Sequence, residues 1–144
     1  MTRQDILDAV TERFGDRVEM VHPNERRTYI YTKPEDVPSL ARFLFEELEL
    51  RYVIATGIDT RSDIEVIHHF AADPQHMVVN IKTAVPKPQA ELESIATFIP
   101  AAEWIEREIM DLFGMTFLNH PRPERLILSD DWPEGVHPLR RDYK

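Results

Sequence analysis

Four carboxylates on one predicted helix are the side chains with the clearest potential for acid–base chemistry. They are Glu103, Glu106, Glu108 and Asp111. Arg107 stands four residues from both Glu103 and Asp111, so these three share one helical face and the arginine can pair both ways. A neighbouring cation lowers the pKa of a carboxyl group, whereas a general acid at neutral pH needs a raised pKa. The pattern therefore favours a structural ion-pair ladder over an acid–base pair.

The histidines are candidates for metal binding or catalysis. His68, His69 and His76 invite a metal-site interpretation. However, His68 and His69 are neighbours in a predicted strand and point to opposite faces, and no histidine pair has the helical H-x-x-x-H spacing. We therefore expect no metal site. His120 and His137 each precede a proline near the C-terminus. A small independent enzyme that uses His120, His137 and nearby carboxylates is the alternative function for this chain.

Patterns that bind cofactors are absent from the sequence. The chain has no cysteine, which excludes disulfides, thiolate-held iron–sulfur clusters and cysteine-held zinc. Its four scattered glycines form neither a P-loop nor a dinucleotide fingerprint. Ser129 lacks the G-x-S-x-G context of a nucleophile elbow. We therefore expect no cofactor and no catalytic residue in this chain.

Composition and charge limit the remaining classes of function. The 144 residues suffice for one domain with a sizeable core, and 42% of them are hydrophobic. No apolar run approaches the roughly 18 residues of a membrane span, and the acidic N-terminus fits neither a secretory signal nor a transit peptide. The net charge of −9 argues against a nucleic-acid partner. Residues 1–118 carry this net charge, because lysines and arginines balance the acids in residues 119–144.

Helical and strand patterns alternate in the first part of the chain. Thr2 with Asp5 resembles a capping box at the start of a first helix, which Gly15 ends. A hairpin follows, with its turn at residues 22–25. Its two strands are predicted at residues 18–21 and 28–32. A second amphipathic helix is indicated by apolar residues at helical spacing, namely Leu40, Phe43, Leu44 and Leu48.

The middle of the chain predicts three strands and a third helix. The strands lie at residues 52–57, 64–71 and 77–84. Short turns join them, and such turns require antiparallel neighbours. Residues 91–95 are expected to form a short turn of helix, and the third helix runs from Pro100 to Gly114. This order predicts an α+β fold with a mostly antiparallel sheet of about five strands and helices packed on one face.

The last part of the sequence has almost no periodicity and is rich in proline, arginine and tryptophan. We predict a body at residues 1–118 and an extended, partner-binding tail at residues 119–144. The tail has too few apolar residues for its own core, so we expect it to order fully only against a partner or a neighbouring copy. Tryptophan and arginine are typical anchors of interfaces. Trp132 is interpreted as such an anchor, whereas Trp104 is either a core or an interface residue.

Five short motifs between Glu103 and Tyr143 carry a family resemblance. They are Glu103–Glu108, Asp111–Gly114, His120-Pro121, Asp131-Trp132 and His137–Tyr143. In order and spacing they resemble the 30 kDa subunit of respiratory NADH:quinone oxidoreductase, also known as complex I. Residues 119–125 depart from the usual Gly-His-Pro-Asp-Leu-Arg, and the link from Trp132 to His137 is longer. This link and the short chain favour the related subunits of energy-converting, membrane-bound NiFe hydrogenases.

The resemblance implies an accessory subunit of the hydrophilic arm of a complex I-like membrane redox complex, without a redox centre. The implied partners are the large catalytic subunit and the adjacent iron–sulfur small subunit, at the cytoplasmic face and attached to the membrane only through the complex. We expect Arg107 to hold the last helix in place and Arg140 or Arg141 to pair with the large subunit. The residues assigned to the subunit interface are Trp104, Arg107, His120, Arg125, Trp132, His137, Arg140 and Arg141.

Overall fold

The computed structural model describes every residue from Met1 to Lys144 and contains three α-helices and two β-sheets. The helices are α1 (Arg3–Phe14), α2 (Val37–Arg42) and α3 (Glu103–Phe113). The strands are β1 (Val18–Asn24), β2 (Arg27–Thr32), β3 (Arg51–Asp59), β4 (Asp63–Ala72), β5 (Met77–Pro86), β6 (Glu91–Glu93) and β7 (Thr116–Leu118). A π-helical turn, Phe43–Glu47, continues α2, and a 3₁₀ turn, Pro100–Ala102, precedes α3.

The first five strands form one mixed sheet in the order β1-β2-β5-β4-β3. The pairs β1–β2, β4–β5 and β3–β4 are antiparallel, and short turns join them. The central pair, β2–β5, is parallel. Parallel neighbours need a long connection, and here α2 and the β3–β4 hairpin lie between the two strands in sequence. The predicted α+β fold with a mostly antiparallel, five-stranded sheet is confirmed.

The core lies on one face of this sheet. On β4 the alternate residues Ile64, Val66 and Phe70 are fully buried, as the two-residue period of a strand requires. Buried residues from all three helices join them in a single apolar cluster of 30 residues. The helices therefore pack on the same face of the sheet, as predicted. Ile54, on the opposite face of β3, is 46% exposed.

Two local predictions are wrong. β1 continues through residues 22–24, so the hairpin turn consists only of Glu25 and Arg26. Residues 91–95 are not helical, because Glu91–Glu93 form β6 and pair in parallel with β7. Leu92 is 1% exposed and stands opposite the buried Phe117. Burial against a distant segment, rather than local propensity, therefore decides the conformation of residues 91–93.

Candidate subunit interface

α3 positions the first of the residues assigned to the interface. The helix ends at Gly114, whose φ of 76° is a left-handed value that glycine adopts readily. Ile109 and Phe113 bury one side of α3 in the core. Arg107 and Asp111 lie about half a turn away from those two and are also buried. They are covered by the tail, residues 119–144, rather than by the sheet.

Arg107 holds the start of the tail through its guanidinium group. Nε donates to the carbonyl oxygen of Glu124 at 2.9 Å, and Nη2 donates to that of Arg125 at 3.0 Å. Nη1 forms an ion pair with Glu103 at 3.5 Å, as predicted. The predicted pairing of Arg107 with Asp111 is wrong, because the carboxylate of Asp111 accepts hydrogen bonds from the tail. The rigid, forked donor groups of the arginine fix the backbone of the tail above the middle of α3.

Asp111 holds the next part of the tail through a single carboxylate oxygen. Its Oδ2 accepts the backbone N–H groups of Leu126, Ile127 and Leu128, at 2.9, 2.8 and 3.1 Å. Asp111 is only 7% exposed. Hydrogen bonds to an ionised acceptor are stronger than those between neutral groups, so this contact is the strongest candidate for the main anchor of the tail. No pattern in the sequence indicated this role.

The far end of the tail caps the last turn of α3. The final carbonyl groups of a helix have no partners inside the helix. Here the carbonyl groups of Asp111, Leu112 and Phe113 accept hydrogen bonds from the tail. The donors, in that order, are His137 Nδ1 at 2.9 Å, Leu139 N–H at 3.0 Å and Arg140 Nη1 at 3.4 Å. The proton assigned to His137 therefore lies on Nδ1, because a carbonyl oxygen only accepts.

Arg125 and Trp132 organise the loop between these two contacts. Nη1 of Arg125 donates to the carbonyl oxygens of Ser129 and Trp132, both at 2.8 Å. The indole Nε1 of Trp132 donates to the carbonyl oxygen of Val136 at 2.7 Å, and its ring stacks on Tyr143 at a centroid distance of 6.4 Å. Both side chains thus make contacts within the tail, and their role toward a partner stays a prediction.

His120 and His137 lie at opposite ends of α3. Nε2 of His120 donates to the carbonyl oxygen of Glu103 at 3.0 Å, and Nδ1 accepts the N–H of Arg122 at 2.9 Å. His137 contacts the carbonyl group of Asp111, eight residues or about 12 Å further along the helix. The two imidazoles therefore do not share a site. This geometry offers no support for the alternative enzyme that would use them together.

Similarity to known proteins agrees with the motifs of the last third of the chain. A family model described as "Respiratory-chain NADH dehydrogenase, 30 Kd subunit" matches residues 30–144. The chain belongs to this family. The match includes α2, α3 and the tail together with β3 to β7. None of the helices has both the length and the apolar character needed to cross a lipid bilayer.

Three similar proteins illustrate the range of the family. A subunit of NADH-quinone oxidoreductase from Salinispora tropica is 29% identical over 96% of this chain, which spans only 59% of that relative's length. A subunit of F(420)H(2) dehydrogenase from Methanosarcina mazei is 28% identical over 100% of this chain and 93% of its own. A chain from the membrane-bound sulfane sulfur reductase, an archaeal respiratory membrane complex, matches 98% of this chain and 85% of its own with a TM-score of 0.84. At 23% identity, this last likeness shows the fold.

Apolar side chains point outward from α3 and the tail in this member of the 30 kDa subunit family. We call these residues the tail face: Trp104, Leu126, Ile127, Leu139 and Tyr143. Trp104 is 67% exposed, so of its two interpretations the core position is wrong. Arg141 is also exposed, and its side chain makes no hydrogen bond or ion pair. Trp104 and Arg141 are therefore the two assigned interface residues whose side chains are most clearly free to bind a partner.

Glu106 is a buried carboxyl group that the sequence did not distinguish from its neighbours. Its side chain is fully buried, and its carboxylate accepts hydrogen bonds from Ser94 Oγ at 2.6 Å and from the N–H of Ile95 at 3.0 Å. Nε2 of His120 lies 3.6 Å from its Oε1. Burial raises the pKa of Glu106 to about 7, and the hydrogen bonds from Ser94 and Ile95 offset only part of that effect.

This raised pKa predicts a pH dependence of stability. The unfolded chain releases the proton near the ordinary pKa of 4.5 and the folded chain near 7. Stability present below pH 4.5 is therefore lost as the pH rises to about 7, by on the order of 3 kcal/mol. Burial lowers the pKa of His68 to about 3, so His68 contributes the opposite slope over an overlapping pH range, and the test is a difference between two profiles. The free energy of unfolding of the native chain minus that of Glu106→Gln, measured in urea, should fall by this amount between pH 4.5 and about 7. Glu108→Gln is the matched control, and a native-minus-variant difference that does not change with pH would contradict the prediction.

Proposed function

We propose that this chain is an accessory peripheral-arm subunit of a membrane-bound, complex I-like redox complex, either NADH:quinone oxidoreductase or an energy-converting NiFe hydrogenase. It docks onto the large catalytic subunit, organises it and has no redox centre of its own. Family membership supports this type of complex. The observation that carries the docking role is the tail, which is bound to α3 at both ends while the tail face points outward.

The names of the relatives favour a role that does not depend on one particular electron donor or acceptor. One relative is a subunit of NADH-quinone oxidoreductase, another a subunit of F(420)H(2) dehydrogenase, and the structural neighbour comes from a sulfane sulfur reductase. These complexes are named for different compounds. A fold that recurs in complexes with different electron donors and acceptors is better suited to assembly than to the chemistry of one of these compounds.

The proposed partners are the large catalytic subunit and the adjacent iron–sulfur small subunit. The complex would hold the chain at the cytoplasmic face of the membrane, with no direct contact between this chain and lipid. A chain without cysteine cannot supply thiolate ligands to an iron–sulfur cluster. The isolated chain should therefore contain no iron, nickel, zinc or flavin, which elemental analysis and absorbance spectroscopy can measure.

Contacts within the chain give the tail an advantage in binding. A disordered segment loses conformational entropy when it binds, and this loss reduces its affinity. The clamps at Arg107 and Asp111 and the cap on α3 already fix the backbone of the tail. In place of the expectation that the tail orders fully only against a partner, we therefore propose that the tail face has a defined arrangement before any partner arrives. This arrangement also keeps apolar side chains exposed, as a docking surface requires.

Trp104→Ala tests the docking role. Because Trp104 is 67% exposed, its loss should change the free energy of unfolding of the isolated chain by no more than about 0.5 kcal/mol. An interface tryptophan that fills a pocket contributes about 2 kcal/mol or more, so association with co-expressed large and small subunits should weaken at least roughly 30-fold. Thermal unfolding and quantitative co-purification measure the two effects.

Ile54→Ala is the matched control for this test. Ile54 is also exposed and apolar, but it lies on the open face of the sheet, away from α3. We expect this variant to assemble as the native chain does. Normal association of Trp104→Ala would show that the docking surface does not include Trp104. Failure of the native chain to bind either subunit would overturn the proposed function itself.

A further inference from the structure

Ten of the 17 lysines and arginines of this chain pair with a carboxylate, and Arg61 and Arg141 are among the seven that do not. Neither of their side chains makes a hydrogen bond or an ion pair within the chain. By contrast, Arg140 lies 3.6 Å from Asp142 and 3.9 Å from Asp59. Arg61 and Arg141 are distinguished from the other unpaired cations because they lie beside one another, around a single cavity.

Arg61 and Arg141 line the same cavity. It has a volume of about 370 Å³ and lies where the β3–β4 turn meets the end of the tail. Every residue around it is polar or charged: Asp59, Thr60, Arg61, Lys87, Arg141 and Asp142. The cavity joins segments that are distant in sequence, and the turn that contributes Arg61 lies outside the motifs that suggested an interface.

The buried carboxylate in the wall of the cavity belongs to Asp59, and its negative charge is balanced by groups of this chain. The side chain of Asp59 is 2% exposed, and it accepts Lys87 Nζ at 2.8 Å and the N–H of Arg141 at 2.8 Å. Burial works to raise the pKa of Asp59, but these hydrogen bonds and the charges of Lys87 and Arg140 outweigh it and hold the pKa below its usual value. Asp59 is therefore ionised and satisfied, and the guanidinium groups of Arg61 and Arg141 remain available.

We propose that Arg61 and Arg141 bind carboxylates of an acidic segment on the subunit to which this chain docks. This inference rests on the proposed function and specifies the chemistry of the partner. Arginine suits this role because its planar fork can donate two parallel hydrogen bonds to one carboxylate. The tail would thus be fastened at its C-terminal end as well as along the tail face.

Charge favours a protein partner over an anionic membrane. Recognition of anionic lipid typically needs clusters of about four to eight basic residues. This cavity offers only Arg61, Lys87 and Arg141, and two carboxylates lie beside them. Asp142 at the rim can also accept a cation from the partner, which gives the mixed pattern typical of protein interfaces.

Charge reversal tests this inference. Arg61→Glu/Arg141→Glu should weaken association with the co-expressed large and small subunits on the order of 100-fold. The native affinity should also fall as ionic strength rises from roughly 0.1 to 1 M, because salt screens the attraction. The affinity of the variant should not fall in this way, because its glutamates repel the same carboxylates and salt screens that repulsion. Arg26→Glu/Arg27→Glu is the matched control. It reverses two other cations without carboxylate partners, at the β1–β2 turn, and should assemble normally.

Each outcome distinguishes the inference from the proposed function. Normal assembly of the Arg61/Arg141 variant, or equal losses in both double variants, would overturn the carboxylate site while leaving the docking role intact. Binding of the native chain to phosphatidylglycerol vesicles, lost in the variant, would assign the arginines to lipid and also overturn the inference. Absence of any association by the native chain would contradict the proposed function instead. Thermal unfolding of each variant checks that the fold is retained.

Discussion

Asp111→Ala is expected to release the tail from α3 and to lower the free energy of unfolding by about 3–5 kcal/mol. Three backbone N–H groups, at residues 126–128, would lose their charged acceptor at once. Each hydrogen bond to a charged group contributes about 1.5–3 kcal/mol, and partial access to water recovers some of the loss. For a chain of this size, the melting temperature should fall on the order of 10 °C. Thermal unfolding and amide hydrogen exchange at residues 124–128 measure the change.

Glu108→Ala is the control for this substitution. Glu108 is a carboxylate on the same helix, but it makes no hydrogen bond or ion pair. It should leave both the melting temperature and exchange in the tail nearly unchanged. Native exchange rates at residues 126–128 in the Asp111→Ala variant would show that the carboxylate does not hold the tail in solution. Fast exchange there in the native chain would instead support the prediction that the tail orders only on a partner.

Contacts between residues close in sequence were the ones that could be predicted. The capping box of α1 is confirmed, because the N–H of Asp5 donates to Thr2 Oγ1 at 3.1 Å and the N–H of Thr2 donates to Asp5 Oδ2 at 2.8 Å. Such a contact depends on two residues three positions apart and on nothing else in the fold. The β3–β4 and β4–β5 pairings follow in the same way from short turns.

Contacts between distant segments could not be predicted in this way. The rule for neighbours on a helix pairs Arg107 with Asp111, an interaction worth only a few tenths of a kcal/mol. The rule does not include the N–H groups of residues 126–128, which compete for the same carboxylate and form stronger bonds. The parallel pairings of β2 with β5 and of β6 with β7 could not be predicted either, because no local pattern specifies the partner strand.

The assigned interface residues divide into two groups in the structure. Six of them bind backbone groups of α3 or the tail, namely Arg107, His120, Arg125, Trp132, His137 and Arg140. Trp104 and Arg141 present free side chains. The first group therefore fixes the conformation of the tail, and the side chains of the second group remain available to contact a partner. This division changes the expectation for Arg140, whose loss should lower the stability of the isolated chain because the group caps α3 and faces Asp59.

Gly114→Ala is expected to disrupt the cap at the end of α3. A β-carbon at this position would overlap Cδ2 of His137 and lie 2.7 Å from its Nε2, so the imidazole would have to move. The residue also has a φ of +76°, which is strained for alanine. Backbone strain of about 1–2 kcal/mol and displacement of His137 from Asp111 should together lower the free energy of unfolding by roughly 2–4 kcal/mol.

Gly135→Ala separates these two causes. Gly135 has a φ of +77°, yet nothing lies within 4 Å of a β-carbon there, so its substitution should show the backbone strain without the clash. The double variant Gly114→Ala/His137→Ala has no imidazole for the new β-carbon to meet. Gly114→Ala should therefore lower the free energy of unfolding less when His137 is already alanine than it does in the native chain. Urea unfolding of the single and double variants measures this coupling. Equal effects of Gly114→Ala and Gly135→Ala, with no coupling to His137, would mean that the imidazole does not rest on Gly114 and that His137 does not contribute to the cap of α3.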